Sequence, residues 1–488
     1  MRKKTNRRKF IKHTTIASIA AMIIPRHVLG GVGYISPSDQ IRIATIGAGG
    51  KGKSDTFNAA GLINGIGTAT EQIVALCDVD YKQAAKTFGM FPDAKRYKDY
   101  RKMLAEMDSE IDAVIISGPD HMHAPAGLDA ISRGKHVYIQ KPLSHDVAEA
   151  RALTEAAREH NIVSQMGNQG SSSDDIRRIC EWIDAGIIGE VRNVHCWTNR
   201  PVWEQGMQRP KEIQAIPDSL DWNLWLGTAP ERPYHSTYHP FGWRGWWDFG
   251  TGALGDMACH IMDPVVRSLK LKYPTHVQAF APFHVRNWRR IDSFEAPPLA
   301  STVHFDFPER DGMPPVHLVW YDGGMMPPRP AELNDNEPMG NVDGGVIFEG
   351  TTGKIMCDCY AANPRLLPIS NMKRFQEPKQ TIDRVKEPNH QQNWISAIRG
   401  ESVASSGFDY AGPFSEIVLM GNLAIRSLYA QEEREDNGKK YRAFTGVGKR
   451  LAWDGINMKI TNYEPANQFV RRTSSNYGIK NLYKYALP

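Results

Sequence analysis

The sequence predicts an α/β protein: a Rossmann-type, doubly wound parallel sheet first, then an α+β domain with a mostly antiparallel, open-faced sheet. Three observations predict this. Short β-branched runs alternate with helix-compatible segments as far as about residue 168. A glycine-rich turn, Gly47-x-Gly49-x-x-Gly52, lies between the first run and the segment after it. Beyond it the chain becomes Trp- and Pro-rich, then turns to consecutive alternating runs separated by turn residues.

The elements follow in order. "IRIATIG" is a strand, and the segment after the glycine turn is a helix. "IVALCDVD" (Ile73 to Asp80) is the second strand, and after a helical pattern and "YKDYRKMLAE" comes the strand "IDAVIISGPD" (Ile111 to Asp120). A helix closing at Gly134 leads to the strand "KHVYIQKP" (Lys135 to Pro142), a helix from about Val147 to His160, and the strand "IVSQMGNQ". The second domain opens with "DWNLWLGTAPERPYHSTYHPFGWRGWWDFGTG", followed by a helix from Gly255 to about Leu271. Strand-like runs come next ("THVQAFAPFHV", "ASTVHFDF", "VHLVWYDG", "GGVIFEGTTGKIMCDC"), then a long helix from Gly412 to about Gln431, and a polar tail. The boundaries drawn are 1–30 for a leader, 38–168 for the first domain and 169–488 for the second.

Composition narrows the function. The chain of 488 residues is 41% hydrophobic and 23% charged, which excludes disordered, collagenous and disulfide-scaffold classes. Its net charge of +5 is carried by the first thirty residues, which hold eight Lys or Arg and no acid. Removing them leaves a slightly acidic chain, so nucleic acid is not an expected partner. The six cysteines form no C-x-x-C pair and read as reduced packing residues.

The leader reads as an export signal. Asn6-Arg7-Arg8-Lys9-Phe10-Ile11 precedes a weakly apolar run, Thr14 to Ile24, and the small-residue site Val28-Leu29-Gly30. The paired arginines resemble a twin-arginine signal, and the run is too short to span a bilayer. A periplasmic location and no membrane span are the expectations. A basic amphipathic helix is the alternative.

Three motifs carry chemistry. In the glycine turn, Gly47 permits the bend, Gly49 and Gly50 let the backbone approach a pyrophosphate, and Gly52 lets helix and strand pack closely. Asp78 ends the second strand, 26 residues beyond Gly52, where it can accept hydrogen bonds from a ribose. No arginine follows Asp78 closely, so NAD is favoured over NADP. Lys141-Pro142 ends a strand of the parallel sheet, on the side that faces the ligand crevice. Asp256 and His260, four apart in a helical segment, share one face and suit general acid/base work. Asp120, His121 and His123 are too few for a convincing metal cage, and no metal is expected. Trp243, Arg244, Trp246, Trp247 and Asp248 suit a sugar site, with core packing as the alternative for some of the tryptophans.

Together these motifs resemble the Gfo/Idh/MocA family of NAD(P)-dependent oxidoreductases over nearly all of the chain after the leader. The match rests on the glycine turn, on Pro119 and His123 in "SGPDHMH" (like T-P-x-x-x-H), on Lys141-Pro142 (like E-K-P), and on Asp256 and His260 (like D-x-x-x-H). Gln140 stands where the family has Glu, and Ser117 where it has Thr. The resemblance implies bound NAD, Pro119, His123 and Lys141 beside the cofactor, and a catalytic set of Lys141, Asp256 and His260. A carbohydrate substrate is expected, with Trp243 and Arg244 contacting it on the strength of their residue chemistry and Asp256 binding a hydroxyl beside the base.

Three functions stay open from sequence: net oxidation of a sugar or glycoside secondary hydroxyl, C3 favoured; glycoside cleavage through transient C3 oxidation, elimination and re-reduction; and non-catalytic sugar binding with structural NAD. Outside the inner membrane no free NAD pool is expected, so the cofactor must be held tightly. A homo-oligomer formed through the C-terminal sheet is expected.

Overall fold

Six short parallel strands build the first half of the protein, seen in a computed structural model that describes residues 39–62, 65–291 and 293–472. The leader lies outside the described residues. Strand β1 (Arg42–Ile46) enters the glycine turn and helix α1 (Gly50–Ala59); β2 (Gln72–Cys77) precedes α2 (Tyr81–Met90). The chain continues through β3 (Lys95–Tyr97), α3 (Tyr100–Glu106), β4 (Ala113–Ile116), α4 (His123–Ser132), β5 (His136–Ile139), α5 (Val147–Glu159) and β6 (Ser164–Met166). The strand order is β3-β2-β1-β4-β5-β6, every pair parallel. This is the doubly wound order that reverses between β1 and β4 and opens a ligand crevice there. The central strands β1, β2, β4 and β5 are rich in buried Val, Ile and Ala, as a sheet covered on both faces requires, whereas the edge strand β3 (Lys95-Arg96-Tyr97) is polar and largely exposed. Aspartates at the starts of α2, α3 and α5 (Asp80, Asp99 and Asp146) accept a backbone N–H of the first turn, satisfying donors a helix leaves free.

The second half holds α6 (Asp174–Asp184), β7 (Val191–Thr198), α7 (Trp222–Leu226), α8 (Gly252–Ile261) and α9 (Asp263–Ser268). Then come β8 (His276–Phe280), a hairpin of β9 (Val285–Arg286) and β10 (Arg289–Arg290), β11 (Thr302–Phe307), β12 (Val316–Tyr321), β13 (Gly344–Gly350), β14 (Lys354–Asp358) and β15 (Arg365–Leu367). The described part closes with α10 (His390–Ile398), α11 (Phe408–Ser427), a hairpin of β16 (Gln431–Asp436) and β17 (Lys439–Phe444), β18 (Leu451–Asp454) and β19 (Lys459–Ile460). Nine strands form one sheet, β15-β14-β13-β7-β12-β11-β8-β18-β19. All its neighbours are antiparallel except β7 and β12. Helices α8 and α11 cover one face, and α11 also packs on α5, so one hydrophobic core runs through both halves. Among the described residues no helix is long and apolar enough to cross a membrane.

Two expectations are corrected. The helix read as Gly255 to Leu271 is two helices, α8 and α9, because Pro264 suits a first turn but not a helix interior. The long helix runs Phe408–Ser427, not Gly412 to Gln431; Pro413 lies inside it, and the chain turns at Leu428 to enter β16. Within the polar tail, β18 pairs with β8 and joins the main sheet.

Candidate active site

The glycine turn is shaped by close packing against the neighbouring strand end. Gly47 has φ +80°, and a Cβ there would lie 2.7 Å from the Gly118 backbone nitrogen. A Cβ on Gly52 would lie 1.8 Å from the Gly47 carbonyl oxygen, so only glycine lets α1 start this close to β1. In front of Gly50 a Cβ would meet nothing within 4 Å. The α1 N-terminus therefore opens onto free space, where its N–H groups suit a pyrophosphate.

That space is a cavity of about 550 Å³ running from Lys98–Arg101 to His260. Gly47, Gly49, Gly50, Asp78, Pro119, His123, Lys141, Trp243, Arg244, Asp256 and His260 all line it. Gly52 does not, and packs beneath the turn. Asp78 accepts the Gly49 and Asp80 N–H groups, each at 2.8 Å. Burial raises its carboxyl to about 6 although these two hydrogen bonds favour the ionised form. The glycine cradle, the open helix N-terminus and this carboxylate fit a dinucleotide.

At the far end, residues from both halves meet. Lys141 follows β5 and crosses to α8, where its Nζ donates to Asp256 Oδ1 at 3.0 Å and to the Asp256 carbonyl at 2.5 Å. Arg244 Nε lies 3.4 Å from the same Oδ1, and Arg200 Nε lies 3.9 Å from Oδ2. Burial alone would raise the Asp256 carboxyl, but Lys141 and Arg244 hold it at about 2. One turn on, His260 is buried; burial first and the Lys141 ammonium second push it well below the usual imidazole range, so it is neutral. Its Nδ1 makes no hydrogen bond. Among the described residues no hydrogen bond to Nδ1 fixes the tautomer. The Asp256 carboxylate, one candidate for orienting this imidazole, spends its hydrogen bonds on Lys141 and Arg244.

The departure at Gln140 has a local answer. Gln140 Nε2 donates to Asp55 Oδ2 at 2.8 Å, and Asp55 also accepts from Ser117 Oγ, Lys51 Nζ and Gln391 Nε2. A buried carboxylate thus sits one residue further from Lys141 than the family pattern implies, and Lys141 takes its orientation from Asp256.

Asp120, His121 and His123 do not converge. Asp120 accepts from Thr251 Oγ1 at 2.6 Å, and burial raises its carboxyl to about 7. The His121 ring nitrogens face the Trp225 and Phe249 carbonyls, and those of His123 lie 2.9 Å from the Gly118 and 2.8 Å from the Pro142 carbonyl oxygens. His123 therefore ties the strand-end loop to the Lys141-Pro142 turn. Of the tryptophans, Trp246 and Trp247 are core and Asp248 pairs with Arg232. Trp243 faces the cavity with Arg244 stacked on it at 4.1 Å, and Phe241 stacks on the same guanidinium at 4.5 Å.

Sequence reasoning missed Arg200 and Tyr360. Arg200 follows β7 and is braced by Asp343, while Tyr360 follows β14 in a left-handed conformation (φ +65°) with its ring 4.5 Å from the His260 ring. Only the strand order β14-β13-β7 brings them to the cavity. A non-glycine residue held at positive φ beside a site is the one local signal, and it exists only in structure.

Comparison with known proteins agrees with this geometry. The model of the Gfo/Idh/MocA oxidoreductase family, NAD-binding Rossmann fold, matches residues 41–168, and that of its C-terminal alpha/beta domain matches residues 175–294. A levoglucosan dehydrogenase of Pseudarthrobacter phenanthrenivorans is 25% identical over 37% of this chain and 37% of its own length. An inositol 2-dehydrogenase of Burkholderia multivorans is 29% identical over 38% of this chain and 54% of its own. The matched region thus spans about half or less of these relatives. Among solved structures, levoglucosan dehydrogenase in complex with NADH and levoglucosan aligns with a TM-score of 0.52 at 17% identity, covering 79% of this chain and 96% of that one. The WlbA dehydrogenase from Bordetella pertussis, in complex with NADH and UDP-GlcNAcA, aligns at 0.51 and 14%, covering 83% and 99%. These two show the same fold. The two family matches, the strand order and the glycine cradle leave one conclusion: the chain belongs to the Gfo/Idh/MocA oxidoreductase family, with that family's NAD-binding Rossmann domain followed by its C-terminal α/β domain.

Proposed function

We propose that the protein oxidises a secondary hydroxyl of a sugar or glycoside, at C3, using NAD held tightly in the cavity. The observation that carries this reading is the meeting of Lys141 with Asp256 and a neutral, buried His260 at the end of a cavity that begins at a dinucleotide cradle. Bound NAD supplies the hydride acceptor. His260 takes the hydroxyl proton, for which a neutral imidazole is required. Lys141 hydrogen-bonds the same oxygen and stabilises the charge that grows on it as the O–H bond breaks. Asp256 holds Lys141 in place and accepts a neighbouring sugar hydroxyl. Trp243 offers a flat apolar face to the sugar ring, and Arg244, fixed between two aromatic rings, reads a hydroxyl. The half-exposed polar face of the nine-stranded sheet is where we place contact with a second copy.

Asp78 should distinguish the cofactors. With its carboxylate assigned to the ribose hydroxyls, Asp78→Ala weakens NAD far more than NADP in a fluorescence titration; equal losses would remove Asp78 from the ribose. The same titration has a pH signature. Ribose donors favour the ionised carboxylate, so binding lowers a pKa that stands at about 6 in the free protein. Affinity should therefore be full above about pH 6 and fall by up to about tenfold per unit below it.

We also infer export by the twin-arginine route, supported by Arg7-Arg8 and the acid-free leader. Arg7→Lys with Arg8→Lys should leave the protein in the cytoplasm, folded and active. Continued export of that variant would assign the leader to general secretion.

A further inference from the structure

The Trp-rich segment between β7 and α8 does more than bring Arg244 to the substrate. It crosses to the nucleotide-binding half and attaches there twice. At one point Leu220 forms a β-bridge with Asp80, Asp221 N–H donates to the Val79 carbonyl at 2.9 Å, and Tyr81 N–H donates to the Ser219 carbonyl at 3.2 Å. His239, from the far end of the same segment, lies with Nε2 2.8 Å from Asp80 Oδ2. At the other point Thr228 Oγ1 donates to the His121 carbonyl at 3.1 Å, and Gly227 packs on Met122.

Residues 79–81 follow β2, and residues 121–122 follow β4. In the sheet order β2-β1-β4 the glycine turn after β1 lies between these two anchors. A segment pinned to both therefore passes over the cradle. Leu224 and Trp225, between the pins, line the same cavity as the glycine turn. The segment is stiff because it carries its own aromatic core, with Trp222 stacked on Trp225 at 4.6 Å and Trp225 against Phe249 at 4.7 Å.

We infer that residues 219–241 are a strap closed across the bound dinucleotide, and that the Asp80–His239 pair is its latch, a cofactor-retaining pair. The inference rests on the reading that NAD occupies this cavity. Asp80 is well placed to anchor a latch, because it is buried, its Oδ1 caps α2 through the Lys82 N–H at 3.0 Å, and its own N–H is held by Asp78 Oδ1. The latch is thus joined through one peptide N–H to the carboxylate assigned to the ribose. His239 is the better residue to change, since its loss spares the α2 cap.

The test is NAD exchange on the full-length protein, with the association and release rates measured separately by fluorescence and by chase with unlabelled NAD. His239→Ala removes one hydrogen bond to a charged group and should speed release by about tenfold or more. Thr228→Val, at the opposite anchor, should act in the same direction. A strap blocks passage both ways, so association should speed up as well; a lost direct contact or a loosened fold would raise release alone. His239→Gln, which can still donate to Asp80, should restore slow exchange. Wild-type release rates in both His239→Ala and Thr228→Val, or faster release with unchanged association, would overturn the latch while leaving the cofactor reading intact. A wild-type protein that binds no dinucleotide would overturn both.

Discussion

His260→Ala should lower turnover by about 10²–10⁴-fold, the usual worth of a positioned general acid or base, and leave NAD bound. The same is expected of Lys141→Ala. His260 lies in a buried setting that keeps it neutral and so able to take a proton, and Lys141 stands beside it, hydrogen-bonded to Asp256. The measurement is steady-state turnover beside the amount of NAD that stays with the desalted protein. Turnover at the wild-type level in both variants would move the chemistry elsewhere in the cavity.

Asp256→Asn should damage stability and catalysis together. The carboxylate is the common partner of Lys141, Arg244 and Arg200. Removing its charge leaves three cations facing one another at the end of the cavity. Breaking a fully buried pair costs about 3–5 kcal/mol. Here the cavity admits water, and about 1–3 kcal/mol is expected. Because the carboxyl is held at about 2 by its cationic neighbours, the ionised form, and the stability it lends, is lost only as pH falls towards that value. The asparagine variant should therefore melt lower than wild type at neutral pH, with the difference shrinking in strong acid. Its KM should rise and its kcat fall if Asp256, as proposed, meets the sugar as well as holding Lys141. A change in kcat alone would limit Asp256 to positioning Lys141.

Most of the first half could be read from sequence because its central strands are short apolar runs ended by a residue with a local role; the edge strand β3, Lys95-Arg96-Tyr97, is polar and was not legible. Gly47 bends the chain after β1, Asp78 and Asp80 end β2, and Lys141-Pro142 ends β5. In the second half local signals mislead. Pro413 suits a helix start, yet α11 begins five residues earlier, where Phe408 and Ala411 bury against the core. Glu432, Glu433 and Glu435 read as helix formers but lie on the exposed hairpin β16–β17, stabilised by its cross-strand ladder. At the site, side chains within one motif were legible because chain proximity keeps them together, as with Asp256 and His260. Arg200 and Tyr360 arrive from strands remote in sequence, and His239 reaches Asp80 across 159 residues. Tertiary register alone decides such contacts.

In the function we propose, a hydride passes from C3 of a sugar to bound NAD in this cavity while His260 takes the hydroxyl proton. The most direct test is a single-turnover reaction of NAD-loaded protein with a glycoside carrying hydrogen or deuterium at C3, followed at the reduced-nicotinamide absorbance band. A rise in that band is expected, slowed by deuterium at C3 and slowed by about 10²–10⁴-fold in His260→Ala. The rise persists for a dehydrogenase and is transient if the glycoside is then cleaved and the sugar re-reduced. A sugar that binds the loaded protein, yet changes neither the band nor its own bonds and shows no deuterium effect, would contradict the claim and leave a sugar-binding protein with structural NAD.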